Sequence, residues 1–118
     1  MMERIRFQGD ANFNNWIVRG LIRRQPLIDF QTGESAHLHG LPDPDVLARV
    51  TSMNRILVSH DYHTMPTHFA THLASGRHSP GVLLLHQTLP LAQAIDALLL
   101  VWEASEPDEW RDTLTYLP

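Results

Sequence analysis

Short apolar runs alternate with longer amphipathic segments along this chain. The runs at 55–59 (RILVS) and 81–87 (GVLLLHQ) are almost wholly apolar, which indicates strands buried on both faces of a sheet. Residues 4–8 (RIRFQ) alternate apolar and polar positions and predict another strand, and residues 27–30 (LIDF) predict a fourth. The segments between and after these runs have apolar residues at helical spacing and predict helices at 16–24, 43–53, 64–76 and 89–104, with a short last helix that carries Trp110 and Leu114.

This alternation predicts an α/β fold with a mostly parallel central sheet and helices on both faces. The chain has 118 residues, and no repeat, linker or low-complexity segment divides it, so one domain spans 1–118. Gly20 lies inside the first predicted helix, where glycine costs about 1 kcal/mol relative to alanine. Either tight packing requires this glycine or the helix is weak.

Composition narrows the classes of function. The chain has no cysteine, which excludes disulfides, thiolate nucleophiles and cysteine-based zinc sites. The formal net charge of −4 argues against sequence-independent binding of a nucleic-acid backbone over a broad surface. The first residues lack the apolar core of a secretory signal, and the most apolar helix carries Asp96 and is short for a membrane span. We therefore expect a cytoplasmic protein.

Acidic residues follow or precede the predicted elements at one edge of the sheet. Asp10 follows the first strand, Asp61 follows the strand at 55–59, and Asp43 begins the helix before that strand. Since the carboxyl ends of parallel strands form the active crevice of such sheets, these acids are expected to converge. Clustered carboxylates repel one another unless protons or a cation neutralise them, and oxygen ligands suit Mg²⁺ or Mn²⁺.

Each acid also has a simpler structural explanation. Asp43 before Pro44 is typical helix-capping chemistry, worth about 1 kcal/mol. Asp10 is a reasonable turn residue, and Asp61 suits the cap of the next helix. The conjunction of all three at predicted strand ends favours a site.

The acid after the first strand (FQGDANF), the helix start DPDVL and the strand–turn RILVSHD together resemble the PIN-like superfamily. The likeness extends from Arg4 to about Glu103 and is nearest to small bacterial PIN-like proteins described as predicted nucleases and as toxins of toxin–antitoxin pairs. It implies a Mg²⁺- or Mn²⁺-dependent ribonuclease whose metal ligands correspond to Asp10, Asp43 and Asp61. Ser59 takes the hydroxyl position of the turn.

The pattern departs from the family at His63, where such proteins often carry a second acid. Asp45, Asp29 or Glu34 are the alternatives for the additional acid, and Asp45 is the nearest to the helix start. This departure leaves two hypotheses of function. One is an active ribonuclease, and the other is a catalytically weakened PIN-like scaffold that works by protein association or nucleic-acid binding.

The residues suggest roles for an active enzyme. Asp10 and Asp61 would hold the ion, with Asp43 as third ligand or as orienter of its water, and His60 or His63 would transfer a proton. The expected partners are an RNA substrate, a cognate antitoxin and, for a patch around Trp110, Tyr116 and Leu117, a second copy of the chain. RNA phosphates are expected to meet a basic cluster formed by Arg19, Arg23 and Arg24.

Eight histidines suggest a transition-metal alternative. His68 and His72 are four residues apart on a predicted helix, with His60 and His63 just upstream, so a histidine-based zinc site is conceivable. Phe69 and Leu73 provide the core face of that helix, which favours solvent exposure for His68 and His72 instead.

Overall fold

Five parallel strands form the central sheet of the protein. The computed structural model describes residues 3–118. The sheet has the order β2-β1-β3-β4-β5, and every neighbouring pair is parallel. The strands are β1 (Arg6–Gly9), β2 (Asp29–Gln31), β3 (Ile56–Ser59), β4 (Val82–Leu85) and β5 (Leu114–Leu117). The predicted α/β fold with a parallel sheet is thereby confirmed.

Helices cover both faces of this sheet, as predicted. They are α1 (Asn15–Arg24), α2 (Asp43–Ser52), α3 (Met65–Ala74) and α4 (Leu91–Ala104), followed by a 3₁₀ turn at Pro107–Glu109. On one face α1 and α4 pack over Phe7, Val58 and Leu83. On the other face α2 and α3 pack over Leu57 and Leu84. The side chains of β3 and β4 are therefore buried on both faces, which explains their continuous apolar sequence.

Gly20 marks the contact between α1 and α4. A Cβ at this position would lie 2.3 Å from Cδ1 of Ile95, so the absence of a side chain lets the two helices approach closely. Tight packing, rather than a weak helix, explains this glycine. Trp16 of the same helix is 65% exposed, and Ile17, Val18 and Leu21 form the buried stripe.

The C-terminal prediction of a short helix was wrong. Leu114 belongs to β5, which pairs in parallel with β4, and the only helical turn in this part of the described chain is the 3₁₀ turn at Pro107–Glu109. The segment LTYL is short and gives little local signal, so its conformation is decided by backbone pairing with β4. Across residues 3–118, no helix has both the length and the apolarity required to span a membrane.

Candidate functional site

A pocket of about 450 Å³ opens at the carboxyl ends of the strands. The chain runs from β1 outward to β2 and then crosses back to β3, so the connections after β1 and β3 leave in opposite directions. A crevice forms at such a switch point in open parallel sheets. The pocket lies there, and its lining includes six residues predicted from the sequence: Asp10, Asp43, Ser59, His60, Asp61 and His63.

Strand register brings Asp10 to Ser59. Gly9 pairs with Val58, so the next residues of β1 and β3 are neighbours, and the backbone N–H of Asp10 donates to the Val58 carbonyl at 2.9 Å. The buried Ser59 hydroxyl donates to Oδ2 of Asp10 at 2.8 Å and accepts from the backbone N–H of Asp61 at 3.1 Å. One serine therefore holds both strand-end acids.

The turn after β3 is organised by Asp61. Its Oδ1 accepts from the backbone N–H groups of His63 and Thr64, at 3.1 and 2.9 Å. The Thr64 hydroxyl also contacts Oδ2 of Asp61, and it lies 3.1 Å from Oδ2 of Asp43. The N-cap of α3 is Thr64 and no side chain caps this helix, so the expected capping role of Asp61 is wrong. Its carboxylate instead closes the turn that precedes the helix and lines the pocket.

Thr64 was not singled out from the sequence. It lies three residues after Asp61, the spacing at which a side chain can return to a preceding acid. Its contact with Asp43, which is 21 residues away, depends on α2 and α3 packing side by side. No local sequence signal reports that packing.

Asp43 is not the helix cap. The residue at the N-cap of α2 is Pro42, so Asp43 lies inside the first turn and its carboxylate is directed to Thr64 instead. His68 of α3 lies 3.8 Å away, between its Nε2 and Oδ2 of Asp43. The capping explanation for Asp43 is therefore wrong, although the acid still gains from the positive end of the α2 dipole.

The pKa values of the two acids that contact Thr64, Asp43 and Asp61, shift in opposite directions. Burial raises the pKa of Asp43, and the charges of Asp10 and Asp61 raise it further, against the hydrogen bond from Thr64. Burial also acts to raise the pKa of Asp61, but the hydrogen bonds from Thr64 and His63 outweigh it, so that pKa is lowered. Asp61 therefore stays ionised more readily than Asp43, whose ionisation is opposed by the charges of Asp10 and Asp61.

His60 has partners for both ring nitrogens. Nδ1 lies 2.9 Å from the Leu85 carbonyl, which requires the Nδ1–H tautomer, and Nε2 accepts from the backbone N–H of Asn14 at 3.3 Å. The ring stacks on Phe13, with centroids 4.6 Å apart. His60 therefore ties the start of α1 to the end of β4, while His63 is exposed and lines the pocket.

The additional acids considered from the sequence do not line the pocket. Asp45 and Glu34 are exposed, and Asp29 forms an ion pair with Arg55 at 2.8 Å. The departure at His63 is thus not compensated by any of these three carboxylates within the pocket lining.

The basic cluster on α1 is spread along the helix. Because α1 follows β1, it begins at the pocket edge and ends at the opposite edge of the sheet, where Arg23 and Arg24 lie. Arg24 pairs with Asp96 at 2.9 Å, and Arg19 stacks over the exposed Trp16. None of these arginines lines the pocket, and their contact with RNA stays a prediction.

The expected exposure of His72 was wrong. His72 is buried, and its Nε2 lies 2.8 Å from the His78 carbonyl, while His68 is partly exposed near Asp43. Over residues 3–118 no group of three or more histidine, aspartate or glutamate side chains is arranged closely enough to hold a metal ion.

The donor set nevertheless suits a hard, well-hydrated cation. Mg²⁺ is commonly held by one or two carboxylates with waters and substrate phosphates rather than by a complete protein cage. Asp43 and Asp61 meet at one hydroxyl, and Asp10 is near enough for its charge to raise the pKa of Asp43. Two carboxylates and a nearby third fit that kind of binding.

Fold and pocket together define a doubly wound α/β domain with an acidic crevice at its switch point. Comparison of the chain with protein-family models, curated proteins and solved structures gives no match. The chemistry of the site is therefore inferred from its own residues.

Proposed function

We propose that this protein is a divalent-metal-dependent ribonuclease of PIN-like type that uses Mg²⁺ or Mn²⁺. One observation supports this most: Asp10, Asp43 and Asp61 come from three separate elements and line one pocket at the switch point of the sheet. Mutual repulsion makes such a grouping costly for stability, which is typical of a functional site.

The three acids and the two hydroxyl groups that contact them have roles in this proposal. Asp61, with its lowered pKa, and Asp10 hold the cation, and Asp43 is a third ligand or orients its water. Ser59 fixes Asp10, and Thr64 fixes Asp61 against Asp43. When bound, the ion would lower the pKa of a water and offset charge on the scissile phosphate.

Proton transfer is assigned to a histidine of the pocket. His63 is exposed and lines the pocket, and an imidazole can both donate and accept a proton. His60 would have to give up a backbone partner before exchanging a proton, so its catalytic role stays a prediction and its positioning role is the better supported one. The toxin role and its antitoxin partner rest on the family resemblance alone.

RNA cleavage tests the proposal. A mixed single-stranded RNA incubated with Mn²⁺ should be cleaved by the wild-type chain, and EDTA or Asp61→Asn should abolish cleavage. Asp96→Asn is the matched control, because Asp96 is an exposed acid on α4 outside the pocket. Cleavage that persists in both EDTA and Asp61→Asn would contradict the proposal.

The second candidate is a catalytically weakened scaffold of the same type. Two observations favour it: His63 stands where a second acid is usual, and the described residues contain no preformed three-ligand metal group. A scaffold predicts RNA or protein binding that is the same with Mn²⁺ and with EDTA, and no cleavage.

A further inference from the structure

Three aromatic rings contact one another beside the acidic pocket. Tyr62 contacts His86 edge-to-face with ring centroids 5.2 Å apart, and it contacts Tyr116 in the same manner at 5.0 Å. These residues come from the ends of β3, β4 and β5, so all three lie at the carboxyl edge of the sheet. We call Tyr62, His86 and Tyr116 the aromatic platform.

The platform is partly exposed, and Tyr62 joins it to the pocket. Tyr116 is 50% exposed, although a large aromatic ring usually loses more of its surface on folding. Tyr62 is half-buried, lines the pocket and directly follows Asp61. Tyr62 therefore belongs to both the pocket lining and the platform, so a ligand in the pocket lies next to the platform.

We propose that the aromatic platform is a stacking subsite for an unpaired nucleobase next to the phosphodiester bound at the acidic pocket. This inference rests on the proposed ribonuclease function and specifies its substrate as single-stranded RNA. A base is joined to its phosphate through one sugar, so a phosphate beside Asp61 would place a flanking base near Tyr62, whose ring contacts Tyr116. Only an unstacked base offers a free face to an aromatic side chain.

Charge explains why such a subsite is needed. The chain carries a formal net charge of −4, and three acids line the pocket. Without a bound cation, the pocket therefore repels the phosphate backbone. The arginines of α1 lie outside the pocket lining. Stacking is independent of charge and therefore supplies affinity where electrostatic attraction is weak.

The test is binding of a labelled short single-stranded RNA to the wild-type chain, measured by fluorescence anisotropy with Ca²⁺ in place of Mn²⁺, so that the carboxylates keep a cation while cleavage is slowed. Tyr116→Ala should weaken binding about tenfold, within the range known for base–aromatic stacking, while Tyr116→Phe should retain it. Leu27→Ala is the matched control, because Leu27 is exposed and lies between α1 and β2 at the opposite edge. Tyr116 is chosen because Tyr62 packs into the core and its removal would perturb the fold.

A second measurement compares the RNA with versions that carry single abasic nucleotides at successive positions. One abasic position should weaken binding about as much as Tyr116→Ala does, and combining the two should add nothing. Equal binding of all the RNAs, or loss of binding in Tyr116→Phe as well, would overturn the subsite. A concentration-dependent dimer that Tyr116→Ala dissolves, together with unchanged RNA binding, would assign the platform to self-association instead and also overturn it.

Cleavage by the wild-type chain separates the two proposals. Metal-dependent cleavage of intact and abasic RNAs at equal rates would remove the subsite and leave the ribonuclease proposal standing. Base-dependent binding without any cleavage would remove the ribonuclease proposal and, with it, the placement of the subsite beside a scissile phosphate, leaving only a base-binding surface.

Discussion

Ser59 is the single residue on which the geometry of the strand-end acids depends most. It is 1% exposed, its hydroxyl donates to Oδ2 of Asp10 at 2.8 Å, and it accepts from the backbone N–H of Asp61 at 3.1 Å. Ser59→Ala removes a hydrogen bond to a carboxylate, worth about 1.5–3 kcal/mol, and leaves a backbone donor without its partner. Water in the pocket can hydrate the backbone N–H of Asp61, which reduces the cost of leaving that donor unpaired. We therefore expect the free energy of unfolding to fall by about 3 kcal/mol in total, less than the sum of the two upper limits.

Urea unfolding followed by circular dichroism measures this loss directly. With about 4 °C per kcal/mol for a domain of this size, Tm should also fall by about 12 °C. Ser52→Ala is the matched control, because the exposed Ser52 donates to the Arg49 carbonyl of its own helix, and its change should stay below about 0.5 kcal/mol. A Ser59→Ala protein within about 0.5 kcal/mol of wild type would refute the view that this hydroxyl organises the site.

Two further predictions concern the acids and the loop beside them. Because the pKa of Asp61 is lowered, its stabilising contribution is present above its ordinary pKa of 3.8 and is lost as the pH falls through its folded value. The raised pKa of Asp43 has the opposite effect, with a contribution that is present below 3.8 and lost as the pH rises. In chemical unfolding, Asp61→Asn should therefore cost more stability than Asp43→Asn near neutral pH, and the difference should close towards about pH 3; equal costs at both pH values would contradict these directions. Gly33→Ala should cost about 1–3 kcal/mol and weaken Mn²⁺ binding, because its Cβ would lie 2.7 Å from the backbone of Asp10 and Ala11. Gly76→Ala is the control, because Gly76 has a positive φ but an added Cβ would have no atom within 4 Å. It should lower stability and leave Mn²⁺ binding unchanged. Equal Mn²⁺ binding in the Gly33 and Gly76 variants would show that the contact of Gly33 with the Asp10 backbone does not position Asp10.

Much of the fold follows from local sequence patterns. The sequence predicts β3 and β4 because strands buried on both faces are continuous apolar runs. It predicts α4 because a helix with one buried stripe has apolar residues at helical spacing. The convergence of Asp10 and Asp61 follows from the rule that parallel strands end at one edge. These features needed no knowledge of distant contacts.

The errors concern features that distant contacts decide. β5 is set by pairing with β4, and His72 is buried because its ring reaches the His78 carbonyl. Thr64 was missed because its second partner, Asp43, belongs to another helix. The capping prediction for Asp43 failed by one position, since Pro42 takes the cap and releases the carboxylate to the pocket.

The measurement that tests the central claim most directly is Mn²⁺ binding, followed by isothermal titration calorimetry and by the electron paramagnetic resonance signal of free Mn²⁺. We predict one saturable site per wild-type chain, with affinity lowered at least about tenfold in Asp61→Asn and in Asp10→Asn and unchanged in Asp96→Asn. Two results would contradict a metal site at the ends of β1 and β3. One is Mn²⁺ binding that Ca²⁺ displaces and that is equally strong in all four proteins, and the other is no saturable Mn²⁺ binding in the wild type.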